Sequence, residues 1–144
     1  MPENDEEALQ EAISNIGPVV TTFEVTDNFQ HYKSGVFSDE TCASYGNKVN
    51  HFVLIVGLGK DRNSGKDYYI IRNSWGTKHG INGYYYFERN INKSMCGIAY
   101  LPLYPIVDKS QPDHQMLNSQ GKNLQLFLKK IYIFLKNKKI LRLQ

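Results

Sequence analysis

Cysteine is scarce in this chain: its 144 residues include only two, Cys42 and Cys96. Neither belongs to a CxxC pair, and His31, His51, His79 and His114 fall at no HxxxH or similar spacing, so the sequence supports no structural zinc site. Two cysteines permit one disulfide, which implies an oxidising compartment, or two free thiols, and the count does not choose between them. A secretory leader is also missing: residues 1–10 are acidic and polar, where a signal peptide is basic and then apolar. The expectation is a cytosolic chain or one whose true start lies upstream. No internal repeat is present.

Charge of one sign is lacking overall but not locally. The net charge of +3 sums two unlike parts. Residues 1–107 carry 9 basic and 12 acidic side chains, whereas 108–144 carry 8 and 2. A mildly acidic globular part gives no reason to expect nucleic acid, and the basic balance belongs to the terminal segment. Ten tyrosines and an ordinary apolar content point to a soluble globular protein with half-buried strands.

The first regular element is a helix over 5–15. Asn4 offers a cap, Glu7 completes an N-x-x-E box, and Ala8, Leu9, Ala12, Ile13 and Ile16 share one face before Gly17-Pro18 stops it. The pattern then turns extended and β-branched, with strands predicted at 19–25, 51–58, 67–72 and 84–89. Asn63-Ser64-Gly65 closes one hairpin, and a Gly/Asn-rich turn over 79–83 introduces the last long strand. The predicted fold class is α+β, one amino-terminal helix packed on an antiparallel, partly barrel-like sheet. After Pro105 the character changes, which places a boundary near Val107.

The run VLIVGLG at 53–59 resembles a dinucleotide-binding turn only superficially. Arg62 stands where the third glycine belongs, and a strand follows where a helix is needed. No cofactor is expected. His51, alone at the head of an apolar strand, reads as a hydrogen-bonded structural residue.

Its company changes that reading. Asn50-His51 opens the strand to Gly57-Leu58-Gly59; Tyr68-Tyr69-Ile70 leads into Asn73-Ser74-Trp75-Gly76; Gly83-Tyr84 and Cys96-Gly97-Ile98-Ala99 follow. In this order and spacing the chain resembles the papain and cathepsin family of cysteine proteases over about residues 5–107. Gly17-Pro18-Val19, Phe29, Tyr32 and Ser34-Gly35-Val36 are similar to the same family's helix exit and following strand. The resemblance implies a two-domain protease with its active site in the cleft, of which residues 1–107 supply the right-hand, carboxy-terminal domain.

It also implies roles. His51 takes the proton of a cysteine thiol and later delivers it to the leaving amine. Asn73 accepts from the far ring nitrogen and fixes tautomer and orientation, and Trp75 shields that contact from water. The family's nucleophile lies in a CGSCW-like segment upstream, with an oxyanion-hole glutamine, and neither occurs among these residues. Cys42 matches a family disulfide partner for Cys96, a bridge worth roughly 4 kcal/mol on the chain-entropy model.

Phe52, after the histidine, and Leu101 match positions of the pocket for the substrate side chain before the scissile residue; two bulky groups imply small or medium apolar side chains there. His79 replaces the family's usual second tryptophan. Asn92-Lys93-Ser94 is a glycosylation sequon. The expected partners are a peptide or protein substrate and a left-hand domain carrying the cysteine, without which the chain is expected to be inactive. A non-catalytic truncated homologue acting as a binding module is the alternative. Localisation by resemblance is lysosomal or extracellular.

Residues 108–144 have no place in the family pattern. Leu124, Phe127, Leu128, Ile131, Phe134 and Leu135 with flanking lysines match an amphipathic helix for anionic membrane. Translated non-coding sequence is the plainer reading of this basic tail.

Overall fold

The computed structural model describes residues 1–42, 48–89, 94–107 and 116–117. The chain forms two compact units, Met1–Pro102 and Leu103–Gln144. In the second unit the described part is one antiparallel pair, β6 (Ile106–Val107) with β7 (Met116–Leu117). Asn92 and most of the basic tail, with the apolar positions 124–135, lie outside the described residues.

Helix α1 spans Glu6–Asn15. Its cap is Asp5, whose carboxylate accepts from the Ala8 amide at 2.9 Å, one residue later than the sequence pattern suggests. Asn4 is held away from capping in a left-handed conformation (φ 58°), its amide tied to the Ala99 carbonyl at 2.8 Å. Glu6 and Glu7 in the first turn complement the positive end of the helix dipole. Leu9, Ala12 and Ile13 form the buried stripe, as the i, i+3, i+4 spacing demands.

The sheet carries β1 (Val19–Phe23), β3 (His51–Lys60), β4 (Asp67–Arg72), β5 (Tyr84–Glu88) and β2 (Val36–Phe37), in the order β1-β3-β4-β5-β2. Three of its pairings are antiparallel, but β2 joins β5 in parallel. The α+β expectation of one amino-terminal helix packed on a sheet holds; the sheet is mixed rather than wholly antiparallel, and its ends do not meet. The short helix α2 (Asp27–Gln30) and the loop after it carry the chain across to β2 at the far edge. There β2 runs opposite to β1 and along β5, which makes the last pairing parallel.

Alternation sorts the side chains. Val19, Phe23, Ile55, Tyr69, Ile71, Tyr85 and Phe87 point inward and are fully buried against α1 and α2. Phe29 of α2 packs edge-on to Phe23 at 4.7 Å and stacks on Tyr85 at 4.5 Å. The helix is pinned as well as packed: the Tyr69 hydroxyl donates to Glu6 Oε1 at 3.0 Å.

β3 and β4 form a long hairpin closed by Asp61, which accepts from the Asn63 and Ser64 amides and the Ser64 hydroxyl. A bulge between Ile55 and Gly57 shifts the register by one residue. Beyond it the Tyr68 ring lies over Gly59, where a β-carbon would come within 2.4 Å of the ring. A glycine there is what allows Tyr68 to stack on Tyr86 at 4.6 Å.

Candidate active site

The hairpin decides which residues meet. β3 begins at His51 and β4 ends at Arg72, so antiparallel pairing brings the first residue of one strand beside the residues that follow the other. Asn73 continues from β4 with its amide on the Gly83 carbonyl at 3.1 Å, and the chain then turns through Ser74, Trp75 and Gly76. The result is that His51 Nε2 lies 2.8 Å from Asn73 Oδ1.

The tautomer follows from the second partner of that oxygen. Asn73 Oδ1 also accepts from the Ser74 backbone amide at 2.7 Å, a group that only donates. Oδ1 is thus an acceptor, and the 2.8 Å contact requires the His51 proton to sit on Nε2. Nδ1 is left as the bare lone pair, the state a general base needs.

Aromatic rings surround the imidazole. Trp75 lies 5.2 Å from it, tilted by 35°, and Phe23 meets it edge-on at 5.9 Å. Burial pushes the His51 pKa down, and the bond to Asn73 partly opposes it by favouring the charged ring. Trp75 is itself held by Phe29 at 5.8 Å and by His79 at 6.0 Å, both edge-on. His79, at the sequence position of the family's usual second tryptophan, thus packs against Trp75.

Beside the pair runs an open groove lined by Val20, Phe52, Leu54, Arg72, Asn73 and Ser74. Phe52 therefore stands next to the His–Asn pair. Leu101 is half-buried and is not among the groove's lining residues. The sequence reading missed Thr22, which pairs directly with Phe52 across β1 and β3 and is buried beneath the same face. Registering the two strands by their alternation is the signal that finds it.

Cys42 and Cys96 are joined by a disulfide. Asp39 holds the loop leading to Cys42 by accepting from Thr26, Asn28 and Thr41. Cys96, in the short 3-10 turn Met95–Gly97, is fully buried. Both cysteines of the sequence are consumed by this bond, so the chain presents no free thiol.

Residues 1–106 match the family model described as papain family cysteine protease. The chain belongs to the papain family. Among its papain-family relatives, pro-cathepsin H of Mus musculus is 48% identical over 103 residues, covering 72% of this chain and 30% of the relative. The oryzain gamma chain of Oryza sativa subsp. japonica is 43% identical over 102 residues, 71% of this chain and 27% of the relative. The chain thus spans about 30% of the length of the curated relatives it matches.

Two solved structures agree in fold. Digestive procathepsin L 3 of Tenebrio molitor larval midgut superposes with a TM-score of 0.65 at 41% identity, covering 71% of this chain and 32% of that one. The bromelain protease of Ananas comosus, in complex with the E64 inhibitor, gives 0.67 at 39% identity, over 74% of this chain and 48% of that one. Within this papain-family frame the region matched contains His51, Asn73 and Trp75.

Proposed function

We propose that this chain supplies the histidine–asparagine half of a thiol protease active site and that the parent protein hydrolyses peptide bonds. One observation carries the reading: His51 donates to Asn73 through Nε2 at 2.8 Å, which leaves Nδ1 as the lone pair that a general base needs. The cysteine comes from a left-hand domain that packs against this one. Its thiol gives its proton to Nδ1 and attacks the scissile carbonyl as thiolate. The imidazolium so formed is stabilised through Nε2–H by Asn73, and Nδ1–H then donates to the leaving amine nitrogen.

Trp75 keeps water from the His–Asn bond, where a low-dielectric cover strengthens it. Phe52, which lines the groove, narrows the pocket for the substrate side chain, which favours small or medium apolar residues. Residues 1–107 act as the protease domain and 108–144 as a basic tail; in this reading Asn92 is glycosylated and the parent enzyme is lysosomal or secreted. With both cysteines in a disulfide, the chain alone has no nucleophile and is inactive.

The experiment measures hydrolysis of a fluorogenic peptide by the chain alone and by the chain joined in frame to a cysteine-bearing left-hand domain. The expected result is activity in the joined protein only, abolished by His51→Ala. Hydrolysis by the chain alone that His51→Ala stops overturns the assignment of the nucleophile to a partner. A folded but inactive joined protein overturns the protease reading and leaves the non-catalytic binding module.

A further inference from the structure

Two buried polar atoms near the His–Asn pair are left without hydrogen bonds among the described residues: the Asn73 side-chain nitrogen and the Tyr85 hydroxyl. Tyr85 is fully buried and Asn73 is 8% exposed, so solvent compensates neither. An unpaired polar group in such a place costs stability, and buried groups of this kind find partners in nearly all folded proteins. These two are complementary. The amide nitrogen has protons to donate, and the phenol oxygen accepts.

The sheet register brings the two residues to one neighbourhood: Tyr85 pairs with Ile71, two residues before Asn73. Trp75, two residues after Asn73, has its ring centre 6.3 Å from that of Tyr85, and Tyr84, the residue before Tyr85, pairs with Arg72 just before Asn73. Burial raises the Tyr85 pKa, and the Asn73 side chain lowers it again, as a donor aimed at the phenol oxygen does.

We propose that Tyr85 is a positioning residue for the active-site pair: its hydroxyl oxygen accepts from Asn73 Nδ2 and locks the amide with Oδ1 turned to His51. This rests on the reading of His51 and Asn73 as the proton-handling pair. Without a second anchor, the amide is held only by the Ser74 amide and by the imidazole it is meant to orient. With it, each polar end of Asn73 has a fixed partner, and the imidazole inherits that rigidity.

The surroundings of Tyr85 suit the task. Its ring is clamped between Phe29 at 4.5 Å and Tyr32 at 4.9 Å, both nearly parallel to it. Tyr32 is fixed in turn, donating from its hydroxyl to the Gly35 carbonyl and accepting from the Tyr86 amide. Gly80 makes room at the ring edge: with φ +58°, a β-carbon there would fall 2.5 Å from the Tyr84 carbonyl oxygen and 3.0 Å from the Tyr85 ring. Phenylalanine would fill the same space. The hydroxyl is the part that packing does not explain.

The test uses the full, isotopically labelled chain, with His51 tautomer and Asn73 side-chain amide exchange read by NMR. In the unmodified chain His51 is expected as the Nε2–H tautomer, with slowly exchanging Asn73 amide protons. Tyr85→Phe should keep the near-ultraviolet dichroism of the fold, yet speed Asn73 exchange at least about tenfold, the change produced by losing a typical buried hydrogen bond. It should also leave His51 a mixture of tautomers. A folded Tyr85→Phe chain with unchanged exchange and tautomer overturns the proposal.

A measurement on the unmodified chain decides if that variant does not fold: a slowly exchanging Tyr85 hydroxyl proton with a cross-peak to the Asn73 amide is expected, and a hydroxyl in fast exchange with solvent overturns the role. Failure here is distinct from failure of the protease reading. If unmodified His51 is not the Nε2–H tautomer, the His–Asn pairing itself falls; if it is, only the part given to Tyr85 is lost.

Discussion

Thr22 stands directly opposite Phe52 in the antiparallel ladder of β1 and β3, so the two side chains lie on the same face, beneath and beside the groove. The Thr22 hydroxyl is buried and without a partner among the described residues.

The first prediction follows from that burial. Thr22→Val keeps the shape and removes an uncompensated hydroxyl, so the isolated chain should gain about 1 kcal/mol of stability. Urea unfolding is the measurement; a loss of stability would show that the hydroxyl has a partner.

Protonation of His51 should weaken the fold. Burial holds its pKa below the ordinary value of about 6.5, with the Asn73 bond opposing only part of that fall. The folded chain therefore binds fewer protons than the unfolded one. The resulting stability is present above about pH 6.5 and is lost as pH falls through the folded value. His51→Gln should flatten this slope in urea titrations at successive pH values. Asn73→Ala should lower the His51 pKa further, a shift NMR titration detects.

Most of this pair was legible in the sequence. The Asn-Ser-Trp-Gly run and the Asn-His strand opening are legible through the family resemblance they carry, and the short β3–β4 hairpin is enough to bring His51 and Asn73 together. α2 was not legible, because its four residues, Asp27–Gln30, are too few to show a helical period. The parallel pairing of Val36–Phe37 with Tyr86 and Phe87 was hidden for another reason: its partner lies some fifty residues on, and nothing local encodes it. Tyr85 sits in a run of three tyrosines, where alternation shows which rings face inward but not which hydroxyl has a task.

Breaking the Cys42–Cys96 bond should cost much of the fold's margin. The bridge joins positions 54 residues apart, and removing such a link costs about 2–4 kcal/mol. The Cys42→Ser, Cys96→Ser double variant should unfold at correspondingly lower urea, and reductant should shift the unmodified chain by the same amount while leaving the variant unmoved.

Gly59→Ala should drive the Tyr68 ring off β3 and break its stack with Tyr86. A loss of about 1–3 kcal/mol is expected from such overpacking. In a Tyr68→Ala background the same change should cost less than half as much, because the clash is gone. Equal costs in both backgrounds would place the strain in the backbone instead.

The hairpin that joins His51 to Asn73 also has a temporal meaning. The two residues are only 22 positions apart, nearer in sequence than the partners joined in the β1–β3 and β2–β5 pairings. Contacts of short span close early and at small entropic cost. The His51–Asn73 contact is therefore cheaper to close than either of those pairings, and both residues are set in place by a local hairpin rather than by the assembly of the whole sheet.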